Sequence, residues 1–122
     1  MPHIAKYDKK LGCIIVTVED YLDLNLLRSI AAEVAKLIGE HACTLVLNDM
    51  RKANLSKGIM EVFKMPQAAH EQGIKQLVKR AVVVPQNAAE FHFLETVFVN
   101  QGHAVKFFSE MAAAKEWLFG DN

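Results

Sequence analysis

Residues 7–20 read YDKKLGCIIVTVED. Asp8 to Gly12 is a turn signal: two lysines after an aspartate, closed by glycine. Residues 13–18 (CIIVTV) are short, apolar and β-branched, which favours a strand. Residues 3–7, ahead of the turn, alternate weakly. Two strands about a glycine-containing turn predict an antiparallel hairpin. Beyond it, Asp23 caps a helix with Leu24, Leu27, Ala31, Val34 and Ile38 on one face, and Gly39 is its expected stop. Residues 44–47 (TLVL) then form a buried strand that runs into Asn48 and Asp49.

The same alternation continues. Residues 56–65 read as a helix that Pro66 breaks, with a second short helix over 67–72 ended by Gly73. Residues 81–84 (AVVV) are a core strand stopped by Pro85. Asn87 caps a helix to Gln101, closed by Gly102. Residues 104–108 (AVKFF) form a strand, and Ser109 caps a last helix to Leu118. Short apolar strands separated by helices imply parallel pairing with the sheet covered by helices and right-handed crossovers. The expected fold is α/β: one domain over 1–122, with a mixed sheet of five strands. Its N-terminal hairpin is antiparallel and the remainder mainly parallel.

Composition sets outer limits. The chain has 122 residues, 52% hydrophobic and 23% charged, which excludes disorder. Its N-terminus is no secretory signal, and no apolar run approaches the ~20 residues of a spanning helix. A cytoplasmic protein is expected. Cys13 and Cys43 enter or flank strand-like runs and read as buried thiols. Fourteen basic residues balance fourteen acidic ones, which argues against a nucleic-acid binder. The balance is uneven along the chain. Residues 51–80 hold seven basic and two acidic residues, a net of +5, between segments of −2 and −3.

That basic segment also contains Ile59, Met60, Val62, Phe63 and Met65, and cations among apolar groups are a feature of interfacial segments. Helix 87–101 carries Phe91, Leu94, Val97 and Phe98 on one broad face, with Phe93 at its margin. This arc is wider than one core-facing stripe requires. It suits a wall of an apolar pocket whose other wall is 56–66, and it leaves a homodimer contact open. Methionines suit a wall that adapts to its ligand.

Catalytic and metal chemistry finds little support. The five histidines have no ligand spacing, and no phosphate loop or nucleophile elbow is present. Asp49 lies at the carboxyl end of a predicted strand, where open α/β sheets place ligands, although a bond to turn amides is the usual role. His92 and Glu95, three apart on one helix, read as a surface ion pair before an acid–base pair. No enzyme activity, cofactor or metal is expected.

Three stretches carry a resemblance: the YDKKLGCIIVTVED hairpin, the LVLNDMRKAN strand end, and the ending NQGHAVKFFSEMAAAKEWL. With one strand pair before the first helix, the chain resembles the STAS fold, and within it the SpoIIAA-like family of small bacterial proteins. The likeness spans almost the whole chain and rests on element order. It implies a regulatory domain acting through protein partners. In anti-sigma-factor antagonists of the STAS group, a phosphorylated serine sits in an Asp-Ser-Ser-Gly motif after the third strand. Aligned on Gly58, Ser56 stands at the modified serine, with Leu55 and Lys57 replacing the flanking aspartate and serine. Ser56 also reads as a plain helix cap. The family is similar in shape to CRAL-TRIO domains, which implies an apolar ligand or a membrane role.

Two functions are therefore expected. The first is a non-enzymatic binding domain for a small apolar or amphiphilic, lipid-like molecule. It would use Lys57, Ile59, Met60, Phe63, Lys64, Met65, Phe91, Leu94 and Phe98, with peripheral contact to an anionic inner membrane face. The alternative is a STAS-type regulatory interaction module, switched at Ser56.

Overall fold

The computed structural model describes residues 3–55, 59–86 and 89–120. Among them the chain runs β1 (His3–Asp8), β2 (Cys13–Leu22), α1 (Leu24–His41), β3 (Leu45–Leu55), α2 (Ile59–Glu71), β4 (Lys79–Val83), α3 (Ala89–Asn100), β5 (Val105–Phe108) and α4 (Met111–Phe119). The five strands form one sheet in the order β1-β2-β3-β4-β5. β1 pairs antiparallel with β2, and the remaining neighbours are parallel. This is the α/β mixed sheet expected from the sequence.

The hairpin turn is closed locally. The Leu11 amide donates to the Asp8 carboxylate at 2.9 Å, and the Gly12 amide to the Asp8 carbonyl at 2.8 Å. Gly12 takes a φ of +70°, which glycine adopts without cost. Both middle strands outrun the apolar runs that announce them. β2 shifts register between Thr17 and Glu19, with Asp20 at a φ of +71°. It then stays paired with β3 as far as Leu22 and Leu55. β4 accompanies β3 only from Leu45 to Asp49.

Strand alternation divides the core into two layers. Ile14, Val16, Val18, Val46 and Val82 meet α1, α2 and α3 on one face. Cys13, Leu47, Ala81 and Val83 meet Ala114 and Leu118 of α4 on the other. Both cysteines are buried free thiols. Burial first, then Cys43 and Asp8, push the Cys13 thiol up to about 11, so it stays protonated at neutral pH.

The helix boundaries hold most of the departures from expectation. α1 starts at Asp23, whose carboxylate accepts from the Leu26 amide at 2.7 Å. It runs through Gly39 to His41 and ends on Ala42 in the left-handed region. Pro66 does not split α2. Its side chain is fully buried, and one helix continues through it, because tertiary burial offsets the lost N–H bond. Ser109 does not cap α4; Glu110 holds that position and makes no side-chain cap bond. The last turn of α4 is held instead by Lys79, whose Nζ donates to the Trp117 carbonyl at 2.7 Å and lies 4.5 Å from the indole ring. Asn87 lies outside the described residues.

Candidate functional site

The residues expected to line one apolar pocket separate into two environments. On α2, Met65 is fully buried with Val62, Ala68 and Ala69. Met60 is 70% exposed and Phe63 51% exposed, and Lys64 faces solvent beside them. The helical period decides this: Met60, Phe63 and Gln67 follow one outward face at three- and four-residue steps. On α3, Phe91, Leu94 and Phe98 are buried, while Phe93 stands at the surface. Phe63 and Phe93 meet edge to face with centroids 5.7 Å apart. That contact bridges α2 and α3 at the surface. What the helices present outward is an apolar patch of Met60, Phe63 and Phe93. Ser56, Lys57 and Gly58 lie outside the described residues, as does the Ile59 side chain.

The patch has a basic edge at Lys64. The acid three residues before it points to α1: Glu61 accepts from the Leu24 amide at 2.6 Å and so satisfies a free donor at the start of that helix. Three other described cations of the basic segment are engaged elsewhere. Arg51 forms a bidentate pair with Asp49 at 2.8 and 2.9 Å. Lys79 reaches α4 on the opposite sheet face. Arg80 is buried, at 7% exposure. Arg51, Lys79 and Arg80 therefore do not add to the basic edge at Lys64.

Asp49 is not at a strand terminus, since β3 continues to Leu55. The Arg51 guanidinium holds its carboxyl below the usual carboxylate range. Glu95 makes no pair with His92. It accepts from the Phe107 amide at 2.7 Å and so occupies a donor on the edge strand β5. Among the described residues no cluster of three or more His, Cys, Asp or Glu is placed to hold a metal ion. No described helix is long and apolar enough to cross a membrane.

A second feature was not anticipated. A cavity of about 80 Å³ lies between the sheet and helices α1–α3. Leu94 and Phe98 border it, as do Leu27 and Ile30 of α1, together with Asn48 and Arg80. From the sequence, Arg80 counts only toward the net charge of residues 51–80. The available signal was its position: Arg80 and Val82 share one face of β4 by strict alternation.

The fold has close structural counterparts. An anti-sigma factor antagonist from Mycobacterium paratuberculosis aligns over 97% of this chain and 93% of its own, with a TM-score of 0.65 and 12% identity. An uncharacterized protein with a SpoIIAA-like fold from Shewanella loihica aligns over 95% of this chain and 91% of its own, with a TM-score of 0.56 and 14% identity. No family model matches the sequence. No curated protein sequence matches it significantly. The chain has the SpoIIAA-like fold.

Proposed function

We propose that the chain is a non-enzymatic regulatory module of the STAS type that acts by binding another protein. The observation that carries this reading is the near full-length structural match to an anti-sigma factor antagonist. The Met60–Phe63–Phe93 patch is the proposed contact, because apolar side chains rimmed by polar ones are typical of interaction surfaces. Lys64 at its edge, with Glu61 turned inward, favours a partner surface with an apolar centre and an acidic rim. Ser56 precedes α2 and is the proposed point of control; the intact mass of the native protein reads whether it carries a phosphate. The lipid-like ligand and membrane readings draw no support from the structural counterparts, one of which is an anti-sigma factor antagonist.

The test is native isolation of the chain and its variants from the source cells. Phe63→Glu should abolish a stoichiometric complex that Phe119→Glu, altered at a half-exposed apolar residue on α4, retains. A complex indifferent to Phe63→Glu overturns the placement. A chain that is recovered without any partner protein overturns the reading.

A further inference from the structure

Arg80 on β4 is a buried cation that no described residue neutralises. It lies beside Val46 on the sheet face that meets α1, α2 and α3. Its Nε donates to the Val78 carbonyl at 3.3 Å, and its Nη2 to Nδ1 of His103 at 2.5 Å. The Phe98 ring of α3 lies 5.5 Å from the guanidinium carbon, and His70 of α2 stands behind His103 at 6.5 Å between rings. None of these groups is anionic. Burial first, then Arg80 and His70, hold His103 down at about 4, so the imidazole is neutral. Burial lowers Arg80 to about 10, which still leaves it charged at neutral pH. Among the described residues Arg80 forms no ion pair, and its Nη1 makes no hydrogen bond. A charge held out of water is tolerated only when an opposite charge accompanies it.

The cavity of about 80 Å³ is bordered by this charge. A water needs roughly 10–15 Å³ of such space, so there is room for a monatomic ion with a few waters. An anion that carries a hydrocarbon chain does not fit. The second polar residue of the wall is Asn48 on β3, itself 8% exposed. Its carboxamide Nδ2 makes one long bond, 3.5 Å to the Ala81 carbonyl, and so keeps donor capacity. No carboxylate lines the cavity, and its remaining walls are apolar. Water there can hydrate the guanidinium but cannot neutralise it. One cation and one amide suit a singly charged ion that needs few donors. A phosphate, with several charged oxygens, would leave most of them unpaired.

We infer that this cavity holds a chloride ion, bound between the Arg80 guanidinium and the Asn48 carboxamide. The ion is a structural one: it completes the charge balance of the core and ties β4 to β3 through side chains. The site lies under the helices and does not depend on the docking reading above.

Two-dimensional NMR and thermal denaturation of the full chain at neutral pH test it. The protein is prepared in sodium gluconate and titrated with sodium chloride at constant ionic strength, because gluconate screens equally and is too large to enter. The expected result is a saturable shift of the Asn48 side-chain amide and of the Leu94 and Phe98 signals. The melting temperature should rise with chloride, as for any ligand of the folded state alone. Arg80→Met should weaken chloride binding at least about tenfold, the scale of one charge-assisted bond. In gluconate it should melt no lower than the parent, since an apolar side chain replaces a lone buried charge. Asn48→Leu should weaken binding too, and serves as the test should Arg80→Met not fold. The proposal is overturned by no saturable shift at Asn48, by equal melting temperatures in chloride and gluconate, or by unchanged chloride binding in either folded variant.

Discussion

The Arg80 guanidinium and the His103 imidazole meet at 2.5 Å inside the fold, and the pair works only while His103 is the acceptor. Its environment includes Arg80 on β4 and His70 on α2, and the His70 ring lies 6.5 Å away. His103 is held at about 4, against an ordinary value of 6.5. Between those values the unfolded chain takes up a proton that the folded chain refuses. The contribution of His103 to stability is therefore complete above about pH 6.5 and is lost as pH falls toward about 4. Thermal denaturation should show a falling midpoint between about pH 7 and pH 4.5, and His103→Gln should flatten that fall. An unchanged slope in the variant would show that other groups set it.

The two faces of α2 should respond oppositely to substitution. Met65 is fully buried, so Met65→Ala should cost about 2–5 kcal/mol. Met60→Glu, on the outward face, should stay within about 0.5 kcal/mol. Phe63→Glu loses the edge-to-face contact with Phe93 and should cost about 1 kcal/mol. Denaturant titration separates the three, and an equal cost for Met60 and Met65 would contradict the burial pattern.

Glu61 links two helices by bonding the Leu24 amide at 2.6 Å. Glu61→Ala removes that cap and should destabilise the protein by about 1–2 kcal/mol. A chemical denaturation midpoint equal to that of the parent would show that water replaces the carboxylate without loss.

Two glycines should give opposite signs with alanine. Gly73 has a φ of +110°, and an added Cβ would lie 3.1 Å from the Ala35 Cβ, so Gly73→Ala should cost about 1–3 kcal/mol. Gly39 lies within α1 with open space around it, so Gly39→Ala should stabilise by about 0.5–1 kcal/mol. Melting temperatures of the two variants decide the matter, and destabilisation by Gly39→Ala would mean that the glycine has another role.

The strand cores are legible because CIIVTV, LVL and AVVV are mostly buried in the sheet, and β-branched runs signal that directly. The outer half of β3 is not legible in the same way. Met50 to Leu55 carry arginine, lysine and asparagine, and only their pairing with β2 makes them a strand. Pro66 misleads because its local cost is outweighed by burial that the sequence does not display. The candidate site was half legible. Spacing brought out the apolar residues of α2 and α3, but which of them face outward depends on how each helix is rotated against the sheet. Arg80 was missed because a cation in isolation reads as solvated, whereas its acceptor lies 23 residues away.

β3 is flanked by strands on both sides from Val46 to Asp49 and on one side from there to Leu55. One continuous strand thus has two levels of protection against hydrogen exchange. Amides of the inner half open only with the sheet as a whole, whereas those of the outer half that face away from β2 are released by local fluctuation. The outer half of β3 can therefore open while the core stays shut. That difference comes from where the β4 ladder stops and needs no hinge residue.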